Sequence, residues 1–399
     1  MVNAINISCH GRLLLQSDRS ETILRNFFQE YYGNWRADQI DIVSAREIGY
    51  IPFFGSMIRH RAVLNLDSLT EMFRRIVPRH AYYSTAYYSR PEDKIMKDKG
   101  WLGAELIFDL DADHVSGAEK MSYEEILKEV KKHTERLIFR FLMDDLGFQE
   151  KDLKVFFSGG RGYHVHVVED SIYQLGSDSR REIANYIRGE GMNVYDMRRS
   201  MQEAAGLGGG WKSEIDSRLI SYISSLDGLE EPDEGLVSVF GNRRIAASYL
   251  KGLGRQINTN PPSRKIELFS RPGPLKYRYM DKNDEKLLEH IISQARDELA
   301  CEIDEPVTTD IHRLIRTPGS LHGKTGFVVR SIPVNSFRDF EPLRDGINEG
   351  FDKRTCRIEV IKPVRIALGG QQFSLDPGEH EVPGSAAVYL VASRQAKFI

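Results

Sequence analysis

The segment AELIFDLDADH, residues 104–114, limits what this chain can fold into more than any other. Leu106, Phe108 and Leu110 alternate with Glu105, Ile107, Asp109 and Asp111, a period of two that predicts a strand with both aspartates on one face. Such a strand is suited to burial, where unpaired carboxylates are costly. Side chains two residues apart on one face lie about 7 Å apart along the backbone, near enough to converge on divalent cations, and two-metal phosphoryl-transfer sites hold their ions roughly 3.5 to 4 Å apart. Asp109 and Asp111 therefore suit a metal-dependent phosphoryl-transfer site, although a DxD at a strand end also occurs as a plain solvated turn. Asp113 and His114 continue the acid cluster and read as supporting groups or loop caps.

A second constellation, FSGGRGYHVHV, runs from Phe157 to Val167. Its glycines let backbone amides approach a ligand, and Arg161 supplies a planar donor fork for phosphate oxygens. Ser158 offers a hydroxyl at the mouth of the turn, and His164 and His166 share one face of the strand that follows. Glycines alone would describe a tight β-turn; with Arg161 and His164 attached, an anion cradle is the better reading. The third element, CEIDEPVTTDIHRLIRTPGSLHGKTG, spans Cys301 to Gly326. It places the acid Asp304 before a short helix expected to carry Arg313 and Arg316, then a Pro-Gly turn leading to Ser320, His322 and Lys324. A metal site needs a further anionic ligand and a triphosphate needs cations, and this segment can supply both.

Around these elements the pattern is mixed. Residues 20 to 35 carry apolar positions at helical spacing and predict an amphipathic helix ending near Gly33. EIGYIPF and MIRHRAVLNL read as hairpin strands, and a helix is expected over Ser68 to Ile76. Ser122 and Glu125 form a capping box that opens a long helix stopped by Gly147; KVFF and YHVHVV are strands. The expected organisation is a catalytic core over 1–171, a mostly helical insertion over 172–299 interrupted by GLGGG and NTNPPSRK, a second core part over 300–340, and a β-rich C-terminal section over 341–399.

The formal net charge of -3 excludes a protein that coats nucleic acid by bulk electrostatics, so any such contact is local. Candidate patches are Arg74, Arg75 and Arg79, then Arg180 and Arg181, then Arg243, Arg244, Lys251 and Arg255, though each taken alone reads better as a solvated charged face. The three cysteines, Cys9, Cys301 and Cys356, form no close pair, which speaks against a disulfide framework or a cysteine-built zinc site. No window approaches the roughly 18 apolar residues of a membrane span, and the first residues lack a secretory pattern, so the expectation is a cytoplasmic protein.

Taken together, DLD, then SGGRGYH about fifty residues on, then DEPVTTD and RLIRTPGSLHGKTG resemble the signature of the small, catalytic subunit of the archaeo-eukaryotic DNA primases. The likeness extends through FFQEYYGNW, EIGYIPF and AYYSTAYYSRPED and covers roughly residues 20 to 330. It implies an α+β fold with two small β-sheets flanked by helices, a helical insertion, and template-directed primer synthesis on single-stranded DNA from nucleoside triphosphates. By the resemblance, Asp109, Asp111 and Asp304 are catalytic acids that bind two Mg2+ or Mn2+ ions. Ser158, Arg161, His164, Arg316 and His322 match nucleotide-binding positions, and Lys324 lies in the matched stretch without an assigned role. A primase large subunit, forming a heterodimer, and a primer are the further partners implied.

Two departures stand out. Many relatives carry a cysteine-rich zinc knuckle after the DxD strand, whereas DHVSGAEKMSYEEILKEVKKH has no cysteine, and His114 and His133 alone cannot complete a four-ligand shell. No structural zinc is expected. Gly160 also stands where some relatives have a second arginine. The alternatives are a stand-alone primase-polymerase of repair or a mobile element, a non-catalytic nucleic-acid-binding subunit, and a metal-dependent phosphodiesterase. Intact acids argue against the second, and the phosphate-binding residues against the third.

Overall fold

The computed structural model describes residues 7–114, 117–203 and 209–399, and the side chains of these residues except 7–18 and 114. The side chains of Cys9 and His114, and residues 206–208 of GLGGG, lie outside the described residues. Contacts divide the chain into two compact units: residues up to 135 with 149–184 and 302–399, and residues 136–148 with 185–301.

The first unit opens with helix α1 (Ile7–Asn34), which ends where the spacing predicts but starts thirteen residues earlier than the apolar stripe. Leu24, Phe27, Phe28 and Tyr32 are its buried face. Strands β1 (Ile48–Ile51) and β2 (Ile58–Arg61) form the expected hairpin. Helix α2 (Leu66–Ile76) is capped by the Asn65 side chain and buries Leu69 and Phe73. Then come β3 (His80–Ser84), the pair β4 (Ala86–Tyr88) and β5 (Trp101–Ala104), and β6 (Leu106–Leu110), the strand of the two aspartates. Helix α3 (Tyr123–Arg136) begins at the capping box: Ser122 N donates to Glu125 Oε2 at 2.7 Å and Glu125 N to Ser122 Oγ at 3.3 Å. Strands β7 (Leu153–Phe157) and β8 (Tyr163–Val167) follow, then the five-residue helix α4 (Glu305–Thr309), β9 (Leu314–Arg316) and β10 (Arg330–Ile332).

Two four-stranded sheets result, ordered β9-β3-β1-β2 and β10-β7-β8-β6, with every pairing antiparallel. This is the α+β arrangement of small sheets and helices that the sequence predicts. One expectation fails: Arg313 and Arg316 are not on a helix. The helix stops at Thr309, and Leu314 to Arg316 pair instead with Ser84 to Tyr82 of β3, where apolar Leu314 and Ile315 extend the sheet.

After residue 341 the chain is rich in strands: β11 (Thr355–Val360), the hairpin β12 (Val364–Leu368) and β13 (Gln371–Leu375), β14 (Gly378–Pro383) and β15 (Ala396–Phe398). Between β14 and β15 lies a helix absent from the sequence reading, α5 (Gly384–Ala392), buried along almost its whole length. Phe398 of β15 stacks on Phe27 of α1 at 5.8 Å, and its amide donates to Ser20 Oγ at 3.1 Å.

The second unit is mostly helical. Gly210–Ser225 and Lys282–Leu299 are its longest helices, and Ile215, Leu219, Leu288 and Ile291 are buried in it. Residues Leu137–Asp145 are π-helical, and Gly147, at φ 78°, follows as the stop.

Candidate active site

The aspartates and the glycine-rich turn meet because β6 and β8 are neighbours. In the register, Asp109 stands opposite His164 and Leu110 opposite Tyr163, so the end of β6 arrives at the turn joining β7 to β8. That turn closes through Ser158 N donating to Gly162 O at 2.9 Å. A side chain at Gly162 would lie 2.0 Å from the Leu110 carbonyl oxygen, so glycine there is what lets the two aspartates reach the turn. Asp111 lies one residue beyond the end of β6. The opposite side is built by β9 and the loop after it, which place Arg316, His322 and Lys324.

Asp109, Asp111, Ser158, Arg161, His164, Arg316 and His322 line one open cleft of about 620 Å³ with Arg313 and Lys324. Seven of the eight residues singled out as site candidates are thus brought together. Asp304 does not line the cleft, but its amide donates to the Asp109 carbonyl at 2.9 Å. Burial, with the charges of Asp111 and Asp304, pushes the Asp109 carboxyl up to about 7, against the pull of Arg313 and Arg316. His164 Nε2 stands 3.6 Å from Asp109 Oδ1. Burial foremost, then the nearby His166, Arg316 and Arg313, depress His164 well below the usual imidazole range, and its Nδ1 is buried without a hydrogen-bond partner.

Arg161 is held by acids of the same site. Its Nη2 donates to Asp113 Oδ1 at 2.5 Å and lies 3.6 Å from Asp111 Oδ1. Burial works against its charge, but these carboxylates outweigh it. Asp113, read from the sequence as a supporting group, takes that role here by holding the guanidinium. Ser158 Oγ accepts from Gly160 N at 3.2 Å. Thr325 Oγ1 donates to Gly159 O at 2.5 Å and pairs with His322 Nδ1 at 3.1 Å, so the glycine turn and the loop of His322 are tied directly together.

Several lining residues escaped the sequence reading. Tyr123, the first residue of α3, donates its hydroxyl to Gly160 O at 2.6 Å. Tyr82 belongs to AYYSTAYY, whose aromatic run carried a family likeness but no role. Tyr389, Ser393 and Gln395 come from α5 and the turn after it, and nothing in the apolar run GSAAVYLVA signals a site. Of the arginine patches, Arg180 is removed from candidacy for nucleic acid: it is buried and donates to the carbonyls of Leu175, Ala104 and Glu105. Arg79 is partly committed to Glu21 and the Gly323 carbonyl, and Arg74 to Glu71.

Carboxylate oxygens are the donors a hard divalent cation takes. Burial and its neighbouring acids raise Asp109 in spite of Arg313 and Arg316, and Asp111 Oδ1 is buried without a hydrogen bond, with Arg161 Nη2 3.6 Å away. Among the described residues no three His, Cys, Asp or Glu side chains form a metal cage.

A family profile described as DNA primase small subunit matches residues 108–334. The DNA primase small subunit PriS of Picrophilus torridus is 42% identical, covering 94% of this chain and 97% of that one. Those of Thermoplasma volcanium and Methanothrix thermoacetophila are 37% and 36% identical, covering 95% and 94% of this chain and 98% of each relative.

Proposed function

From the premise that the chain belongs to the DNA primase small subunit family, we propose that it synthesises primers on single-stranded DNA from nucleoside triphosphates, by nucleotidyl transfer in the cleft just described. The observation that carries this reading is the meeting of two aspartates with Arg161, Arg316 and Lys324 in one cleft, from segments more than 200 residues apart. Acids for cations and cations for phosphates are the two halves that phosphoryl transfer needs.

In this reading Asp109 and Asp111 would hold Mg2+ or Mn2+ with Asp304, which lies outside the cleft lining but is joined to Asp109 through its backbone amide. The ions would favour ionisation of the attacking hydroxyl and offset charge on the leaving pyrophosphate. The rest is done by the chain's own groups. Arg161 exchanges its single bond to Asp113 for phosphate oxygens, one anionic partner for another. Arg316 and Lys324 line the same cleft and add their charges to that of Arg161. His164, held neutral, fixes no charge of its own beside Asp109 and leaves that carboxylate free to act as a ligand. No zinc is needed to build the site.

The relatives are named as small subunits, and we extend to this chain a larger partner subunit together with template DNA and primer. Among the described residues no helix is long and apolar enough to cross a membrane, which fits a role beside the chromosome in the cytoplasm.

The test is primer synthesis on unprimed single-stranded DNA with labelled nucleotides. Asp109→Ala and Asp111→Ala should each abolish incorporation while leaving the fold intact, because removing one of two repelling acids does not destabilise the metal-free chain. Chelation should stop synthesis without unfolding, and elemental analysis should find no stoichiometric zinc. Synthesis within a few-fold of the parent in either variant would refute the assignment.

A further inference from the structure

We infer that His80 is a positioning residue for nucleotide binding, orienting Arg316 and the loop of His322 and Lys324 through a single neutral acceptor atom, its Nδ1. The inference rests on the cleft being a nucleoside triphosphate site.

His80 opens β3 and is 7% exposed. Its Nδ1 lies 2.9 Å from Arg316 Nη1 and 3.3 Å from the backbone nitrogen of Gly323. A guanidinium and an amide can only donate, so Nδ1 must be unprotonated and the ring hydrogen must sit on Nε2. Burial first, then the charges of Arg316, Arg79 and Lys324, hold the imidazole down at about 3, so it is neutral under any working condition. The ring stands edge-on to His322 at 5.2 Å. It also stacks with Tyr82 at 6.3 Å, whose own ring lies 5.3 Å from Arg316 Cζ.

What this arrangement does follows from charge. An arginine that must receive phosphate has to be held in one orientation, and a carboxylate would do so while cancelling the positive charge the phosphate needs. A neutral imidazole nitrogen orients the fork and leaves the charge whole. The same atom takes the Gly323 N–H, so the strand carrying Arg316 and the loop between His322 and Lys324 are set against one reference point.

The experiment compares His80→Asn, His80→Asp, His80→Ala and Arg316→Ala in the full chain, reading ATP affinity with Mg2+, the KM and kcat of primer synthesis, and thermal midpoints. Asparagine offers a neutral acceptor near the place of Nδ1, aspartate a charged one, alanine none. His80→Asn should stay close to the parent, whereas His80→Ala and His80→Asp should each raise KM about tenfold with a smaller change in kcat. His80→Ala should add little on top of Arg316→Ala, since both remove one function. Asn and Asp variants that behave alike at equal thermal midpoints, or losses from His80→Ala and Arg316→Ala that simply add, would overturn the inference. Should Arg316→Ala itself leave ATP affinity unchanged, the failure belongs to the reading of the cleft and not to His80.

Discussion

Behind the cleft, Glu105 shows how this fold keeps charge out of water. Its carboxylate forms an ion pair with Arg46, accepts a bond from His166 Nδ1 at 2.7 Å, and receives the Tyr87 hydroxyl at 3.3 Å. Arg46 in turn donates to the carbonyls of Ser84 and Thr85 and lies 3.7 Å over the Tyr87 ring. Burial alone would raise Glu105, but the Arg46 charge and the His166 bond outweigh it and hold the group at about 2. Glu105→Ala would leave a buried guanidinium uncompensated and should cost about 3–5 kcal/mol in urea unfolding, with Glu105→Gln in between. A loss below about 1 kcal/mol would show that water enters to serve Arg46. Little of this was legible beforehand. Alternation put Glu105 on the face of Asp109, but Arg46 and His80 carry no local signal, because their partners are set by which strands become neighbours.

At the scale of elements, period and capping were legible, and uniform hydrophobicity was not. The capping box of α3, the β1–β2 hairpin and the β6 strand stand where alternation and punctuation put them. Helix α5 was missed because GSAAVYLVA is apolar all round and shows neither a period of two nor an amphipathic stripe. The β9 strand was misread as helix because three residues are too few to display a period, and its pairing with β3 is long-range. Gly326 joins α5 to the cleft: it sits at φ 73°, and an added Cβ would lie 2.2 Å from Val388 Cγ1. Gly326→Ala should destabilise the chain by about 1–3 kcal/mol and weaken ATP binding, since the helix carrying Tyr389 must move. Wild-type ATP affinity in a destabilised Gly326→Ala would show that the α5 wall does not touch the nucleotide.

Across the whole molecule, the buried histidines fix how acid acts on it. His80 and His322 are both depressed below the usual 6.5, chiefly by burial. An unfolded chain protonates them near 6.5 while the folded chain resists, to about 3 for His80, so stability is full above that range and is lost as pH falls through it. Each should cost about 1.4 kcal/mol per pH unit below 6.5, well before Glu105 begins to titrate. The urea midpoint should therefore fall between pH 7.5 and pH 5.5, and fall less in His80→Asn. Asp109, raised to about 7, works with the opposite sign, taking up its proton in the folded chain first. The comparison is therefore made in Asp109→Asn, where a midpoint that holds over this interval would mean that the histidines charge freely in the folded protein.

The seating of Phe398 on Phe27 and Ser20 bears on when activity can begin. The cleft draws on residues from Tyr82 to Gln395, and the strand just after Gln395 docks on α1. During translation, therefore, the acids and the glycine turn emerge long before the wall that faces them. A nascent chain halted near residue 334, where the match to the family profile ends, would carry every residue of that match and still lack Tyr389, Ser393 and Gln395. Such long-range closure is slow compared with local helix formation. The cleft is thus complete only once the segment that carries Tyr389 to Gln395 has been made and the strand after it has docked on α1.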